Sequence, residues 1–484
     1  MLEVHKSILV MTAPETGVTV RMYRTGFGDC FLLAFRDQRG APVYLLIDCG
    51  VHSQYKGGGE RIRAITSHIC ASTEGHLHVV AITHEHADHI SGFYTAREMF
   101  NGMEIDQAWF GWTEKPGDPA AEALKRQRAM MMNALRAAER SLATRDGAVA
   151  EGIRGLLGFF ELDLGVTGRD ALDVIRNKAK NAQYLKPKTR PLTLPGVDGV
   201  RVFVLGPPEN RKALMAAEPT GEPGEVYEEE GSGRKGVSSD EAFAAALLAA
   251  SEEPEPAWAE ASQPFASNYR VQSDAAKEQK KLYQFFHDHY GFDEGDAEAW
   301  RRIDLDWQYA AESLALKLDS ATNNTSLVLA IELQRSGRVL LFPGDAQVGN
   351  WQSWHKGGWS EENGLGKGET ITATNLLNRT VLYKVGHHGS HNATLRKMGL
   401  ELMVSDQLTA MIPVDESWAL DRTPKPWKMP FHLLYTDLDR RTRGRILRTD
   451  LGCVEPPPTN PAWSQFGYCP RVEDLYVELT IADE

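Results

Sequence analysis

Short stretches of alternating and continuous hydrophobicity divide the chain into two strand-rich blocks around a long middle. In the first block Val18-Thr19-Val20-Arg21-Met22 alternates apolar with polar, while Phe31 to Phe35 and Val43 to Ile47 are nearly all apolar. His78 to Ile82 then runs straight into a histidine cluster. Short β-branched runs bounded by Gly, Asp and Asn predict strands, with Val43 to Ile47 a buried one. The second block holds Leu327 to Leu333, Arg338 to Phe342, Val381 to Val385 and Leu475 to Ile481, and Arg201 to Leu205 is a lone strand between the blocks.

The middle is patterned for helices. Leu124, Met131, Leu135, Ala138 and Leu142 fall on one helical face, as do Trp307, Ala311, Leu314 and Leu318. Glu218 to Ser239, rich in Gly, Pro, Ser and Glu, reads as a mobile loop. There is no internal repeat. The expectation is an α/β protein in which two sheets pack together under helices. Its halves are residues 1–110 and 321–484, joined by the strand in 200–210. Residues 111–199 form a helical insertion and 211–320 a helical, acidic one.

Composition narrows the class. With 484 residues, 42% hydrophobic and 25% charged, the chain is ordinary for a globular protein and long enough for a sizeable core. No stretch reaches the ~18–20 apolar residues of a membrane span, and the start shows no secretory pattern. Five scattered cysteines (Cys30, Cys49, Cys70, Cys453, Cys469) read as reduced, mostly buried thiols, which predicts a cytoplasmic protein. A net charge of −13 argues against a chain that coats nucleic acid, but leaves room for a local basic groove.

Candidate chemistry begins at Thr83-His84-Glu85-His86-Ala87-Asp88-His89, directly after a strand. His84 and His86, two apart, can aim both imidazoles at one ion, and Asp88 and His89 can serve a second. These are the donors that zinc, manganese and iron take. The plain alternative is a polar loop of solvated histidines, which so dense a cluster disfavours. Asp345, after Leu340 to Gly344, and the pair His387-His388, after Val385-Gly386, stand likewise just beyond strands. Asp48, after Leu46-Ile47, suits an acceptor that orients a metal ligand.

These ordered segments resemble the metallo-β-lactamase superfamily, and within it the branch that includes the hydrolase domain of ComEC-type DNA-uptake proteins. The resemblance rests also on Gly26-Phe27-Gly28-Asp29, Leu205-Gly206-Pro207-Pro208, Asn323-Asn324-Thr325-Ser326, His387-His388-Gly389-Ser390 and Arg448-Thr449-Asp450-Leu451-Gly452. It covers about residues 18–110, 200–210 and 322–482. It implies a metallo-β-lactamase αββα sandwich with a large, mostly helical insertion, holding two divalent ions, zinc first and manganese as the alternative. His84 and His86 would hold the first ion; Asp88, His89 and His388 the second; Asp345 would bridge. Many relatives place a further first-metal histidine before the bridging Asp, yet no histidine occurs between His89 and His287. Either the first position is open, or His287 or His289 is borrowed; the aromatic setting of these two favours the open position.

The resemblance implies a hydrolase acting through a metal-bound hydroxide. Asp88, His387 and His391 are the candidate catalytic residues, the two histidines as nearest proton donors; Lys384 reads equally well as a surface residue at a strand end. The resemblance also favours a phosphodiester substrate, a nucleic acid included. Arg176 to Arg190 holds six cations and no acid, so Lys178, Lys180, Lys186 and Lys188 are candidate phosphate contacts, as is the cluster Arg440 to Arg448. A solvated basic face explains the same run. The alternatives are a carbonyl hydrolase (lactone, thioester or β-lactam) and a partner-regulated effector whose insertion, Arg211 to Ser320, binds protein. The chain carries no membrane channel, so a role in DNA uptake does not follow.

Overall fold

The computed structural model describes residues 10–143, 147–163, 166–216, 225–227, 278–290, 303–423 and 425–484. From the N-terminus, β1 (Gly17–Tyr23), β2 (Cys30–Arg36) and β3 (Pro42–Cys49) form an antiparallel meander. Helix α1 (Gly58–Ser72) crosses to β4 (His76–Ile82), and α2 (Ala87–Thr95) leads to β5 (Glu104–Gly111), both strands joining in parallel. The chain then leaves the sheet as α3 (Pro119–Leu142) and α4 (Gly147–Leu157). Asp118 starts α3 by accepting the Ala120 and Ala121 N–H groups, with Pro119 in the first helical position, where its missing N–H costs nothing. Helix α5 (Gly168–Lys178) brings the chain back to the sheet edge as β6 (Asn181–Leu185), parallel to β5.

The second sheet opens with β7 (Val200–Gly206). After α6 (Ile303–Asn323) come antiparallel β8 (Val328–Leu333) and β9 (Arg338–Phe342), then α7 (Val348–Trp354) and β10 (Thr380–Lys384). Strand β11 (Thr409–Ile412), helix α8 (His432–Thr442) and strands β12 (Ile446–Arg448) and β13 (Gly452–Cys453) finish it. The last strands, β14 (Arg471–Val472) and β15 (Tyr476–Ala482), return to the first sheet beside β1. The strand orders are β14-β15-β1-β2-β3-β4-β5-β6 and β13-β12-β11-β10-β9-β8-β7. The molecule is therefore α/β, with two large mixed sheets.

Strand periodicity explains the layering. Phe31, Leu33 and Phe35 point between the sheets, against Leu340, Phe342, Leu329 and Ile331, while Cys30, Leu32 and Ala34 face the outer helices with Ile62, Ile65 and Ile69 of α1. On the other sheet, Ala330, Leu341, Tyr383 and Ala410 pack outward on Leu135, Leu157, Leu314, Trp351 and Leu434. Both faces of each sheet are buried, which is why these strands are apolar throughout.

The helical faces expected at Leu124 to Leu142 and at Ala311, Leu314 and Leu318 are buried in α3 and α6. The pattern did not show β5, β6, β11 and β12, nor the two-residue β13 and β14. The segment 111–199 is not purely a helical insertion, because β6 completes the first sheet's edge. Its residues are polar enough (Asn181, Gln183) to hide a strand that pairs on one side only. Helix α6 runs through the boundary set at residue 320 and ends at Asn323. The loop expected at Glu218 to Ser239 lies outside the described residues except for 225–227. All five cysteines are unpaired, but only Cys30 and Cys49 are buried. No helix among the described residues is long and apolar enough to cross a membrane.

Candidate metal centre

The candidate residues come together because each follows a strand at the same edge of the paired sheets: Asp48 ends β3, His84 follows β4, Asp345 follows β9, and His388 follows β10. Open α/β sheets place ligand sites beyond the carboxyl ends of their strands. Two close approaches need glycine. A Cβ on Gly50 would lie 2.4 Å from the Asp88 carbonyl carbon, and Gly344, at φ 57°, would press one to 2.8 Å from Thr83 Cβ. Asp48, His387 and His388 also have left-handed backbones, at φ 55°, 43° and 53°. Such conformations cost energy in non-glycine residues and concentrate at functional sites.

Ligand atoms of Asp88, His89, Asp345 and His388 lie within 4.8 Å of one another, and none of these residues is more than 1% exposed. His89 Nδ1–H donates to Asp48 Oδ2 at 2.8 Å, turning Nε2 inward. His388 Nδ1–H donates to the Pro413 carbonyl at 2.6 Å, turning its Nε2 to within 2.8 Å of Asp88 Oδ2. Asp345 Oδ1 accepts the His387 N–H and the Lys384 ammonium, leaving Oδ2 free to face His89 Nε2 at 3.0 Å. Asp345 Oδ2, His89 Nε2 and Asp88 Oδ1 are buried with no hydrogen-bond partner. Orphaned buried donors and acceptors are costly, and their convergence from several loops matches the demand of a cation.

His84 and His86 form a second pair beside this group. His84 Nε2 faces His86 Nδ1 at 3.1 Å, while His84 Nδ1 lies 3.0 Å from Thr83 Oγ1, whose hydroxyl donates to Asp48. The donor set of two imidazoles here, and two imidazoles with carboxylates there, fits the divalent transition metals expected from the sequence.

Electrostatics divides the histidines. Burial lowers the pKa of His84 well below its usual value, and pushes His86 down to about 3 and His387 to about 4, so these rings are neutral ligands or acceptors. In His89 burial is outweighed by Asp345, Asp29, Asp88 and Asp48, which raise its pKa well above the usual value. His388 is likewise raised, burial being opposed by its hydrogen bond to Asp88.

Lys384 is not a surface residue. It is buried between Asp29 Oδ2 at 2.5 Å and Asp345 Oδ1 at 3.0 Å, and it also donates to the Gly344 carbonyl. The sequence offered only a lysine at a strand end; that two carboxylates from separate loops meet it is a tertiary fact. Asp29 likewise stands 3.7 Å from His89 Nδ1.

His387 is buried beside this group, its Nδ1 2.9 Å from Ser390 Oγ. His391 is exposed and edge-on to Phe431, outside the buried group. His287 pairs with its neighbour Asp288 on the helix Lys280–Tyr290 and belongs to none of the buried groups.

The four lysines do not form an open cationic strip. Lys178 donates to the Asn101 carbonyl, Lys180 pairs with Glu104 and Asp106, Lys186 pairs with Glu209, and Lys188 reaches the Ser353 and Lys356 carbonyls. Charge counted along the sequence missed these partners, which come from distant segments. A third His/Asp group, His76, His78 and Asp106, shares Asp106 with Lys180, so an ammonium already occupies it.

Sequence reading also missed an aromatic cover. Phe27 lies 3.9 Å, ring to ring, from His388; Phe160 packs edge-on to His86 at 4.6 Å; and Phe159, stacked on Trp427, borders His86 and His387. Beyond Trp427 a cleft of about 180 Å³ opens between Gln54, Glu151, Leu316 and Arg422. Comparison of the chain with protein-family models, with curated proteins and with solved structures returns no match.

Proposed function

We propose that the chain is a hydrolase of metallo-β-lactamase fold that holds two divalent ions, zinc first, and cleaves phosphodiesters. The observation that carries this reading is the buried set Asp88, His89, Asp345 and His388, in which Asp345 Oδ2, His89 Nε2 and Asp88 Oδ1 have no hydrogen-bond partner, beside the facing pair His84 and His86. Asp88, His89 and His388 would hold one ion, His84 and His86 the other, and Asp345, whose Oδ2 is left free by Lys384 and the His387 amide, would serve both. Two ions held there would supply water with a pKa of about 7 and charge to neutralise a developing oxyanion.

The protein's own groups do the rest. Asp48, Pro413 and Thr83 fix which imidazole nitrogen turns inward. Lys384 keeps Asp345 ionised and immobile. His387, neutral at physiological pH, sits where it can accept from or orient a substrate group, and the aromatic cover keeps bulk water from the reacting atoms. The choice of a phosphodiester rests on the sequence resemblance.

Elemental analysis of protein reconstituted with Zn²⁺ or Mn²⁺ should find close to two ions per chain. Those preparations should hydrolyse bis-p-nitrophenyl phosphate, single-stranded DNA, duplex DNA or RNA in preference to a lactone. Absence of bound metal under every reconstitution would remove the hydrolase reading; turnover of the lactone alone would replace phosphorus with carbonyl chemistry.

A further inference from the structure

Building on the two-ion reading, we infer that Asp319, near the end of inserted helix α6, is the carboxylate that orients His86 at the first metal position. Two nitrogens on one zinc, each at 2.0–2.1 Å, stand about 3.3 Å apart in a tetrahedral shell. His84 Nε2 and His86 Nδ1 face each other at 3.1 Å, so Nδ1 is the nitrogen of His86 that turns to the ion and Nε2 the one that turns away. The outward nitrogens of the other ligands already have acceptors: Asp48 for His89, the Pro413 carbonyl for His388, and Thr83 Oγ1 for His84. His86 Nε2 alone among the four is buried with no hydrogen-bond partner.

Asp319 Oδ1 stands 3.8 Å from that nitrogen, is itself buried, and has no partner either. A movement of about 1 Å would join the two orphaned atoms in an ordinary hydrogen bond. The other carboxylate oxygen is already fixed, because Asn323, one turn further along α6, donates its Nδ2–H to Asp319 Oδ2 at 3.1 Å. A carboxylate behind a metal-bound imidazole sets the tautomer and strengthens the ligand.

This role has a consequence for the insertion. Helix α6 packs through Ala311, Leu314 and Leu318 into the cluster that includes Leu135 of α3 and Leu157 of α4, and Phe159 and Phe160 follow α4 onto His86. The first metal position and the docking of the inserted helices therefore support each other, as linkage requires of two events that share one contact.

The test uses the full chain with Asp319→Ala and Asp319→Asn, titrated with Zn²⁺ against a chromogenic chelator and with Co²⁺ followed by absorption. Asp319→Ala should weaken the looser of two sites 10- to 100-fold, as loss of such partners does elsewhere, and leave the tighter site unchanged. Asp319→Asn, nearly isosteric and still an acceptor for the imidazole N–H, should lose less; a merely structural role would instead lower the stability of the metal-free chain and leave the affinity of the looser site unchanged. Wild-type affinity at both sites in both variants would overturn the inference. So would a cobalt spectrum reporting a changed coordination number, since that would make Asp319 a direct ligand. If the wild-type chain itself bound fewer than two ions, the two-ion reading would fail first, and the role of Asp319 with it.

Discussion

The two ends of the buried centre are held in different ways. Asp345 and His388 follow strand ends, Asp88 and His89 lie in the first turn of α2 just after β4, and the set is braced by elements of the sheets: Asp48 at the end of β3, Lys384 at the end of β10, and the Pro413 carbonyl just past β11. His84 and His86 start from an equally rigid strand, and Thr83 holds His84, but what surrounds Glu85 and His86 comes from the inserted segments. Glu85, between them, pairs with buried Arg128 of α3; Phe160 packs on His86; and Asp319 of α6 stands behind it. One end is thus complete within the sheets, whereas the other depends on segments that the sheets do not need. On the proposed two-ion reading, a set split in this way predicts two ions of unequal affinity, the tighter on the sheet-borne end.

The largest effect should follow from removing that end. Asp88→Ala or His388→Ala should reduce hydrolysis to background and strip the tighter ion, whereas His86→Ala should cost only the looser one. Metal content beside turnover separates the two outcomes, and near-wild-type turnover in either of the first pair would show that the sheet-borne end is not the working one. Lys384→Met comes next. It leaves Asp29 and Asp345 buried without their cation, which should destabilise the metal-free chain by about 3–5 kcal/mol in urea unfolding. A loss below 1 kcal/mol would mean that Lys384 does not brace the site.

A smaller effect concerns the aromatic cover. Burial pushes His52, set among Phe27, Phe159, Trp418 and Trp427, down to a pKa of about 3 from an ordinary 6.5. The unfolded chain therefore takes up this proton first: the associated stability is complete above pH 6.5 and is lost as pH falls toward 3. At one pKa unit per 1.36 kcal/mol, the loss between pH 7 and 5 is about 2 kcal/mol. His52→Phe should remove that share of the acid destabilisation, measured on chelated protein at the two pH values; an unchanged slope would show that the ring is not closed off from water.

The least effect is expected from neutralising Lys178, Lys180, Lys186 and Lys188 together. Ion pairs as exposed as those of Lys180 and Lys186 contribute about 0–1 kcal/mol each, and all four ammonium groups already have acceptors. Binding of DNA or RNA should keep its salt dependence. A drop of about 0.7–0.9 in the log–log slope for each lysine lost would restore the run as a phosphate-contacting face.

By itself the sequence determined the strands, because a five- to eight-residue apolar run between turn residues has few other uses. It determined the helical stripes of α3 and α6 for the same reason, and the spacing of His84, His86, Asp88 and His89 marked the chemistry. Polar β6 and short β11 and β12 escaped, since one-sided pairing or a few residues leave little periodic signal, and so did β5, whose apolar run is broken by Asp106 and Gln107. What only the tertiary structure decided is what meets what across hundreds of residues. Lys384 looked like a surface cation until Asp29 and Asp345 closed on it, and the lysines after Arg176 looked free until Glu104, Asp106 and Glu209 came alongside. Asp319 carried no motif at all: on a helix surface an aspartate is ordinary, and it becomes chemically distinctive only once folding buries its carboxylate, without a cation, beside an imidazole equally lacking a partner. Burial and pairing are properties of the assembled chain, and a linear pattern records neither.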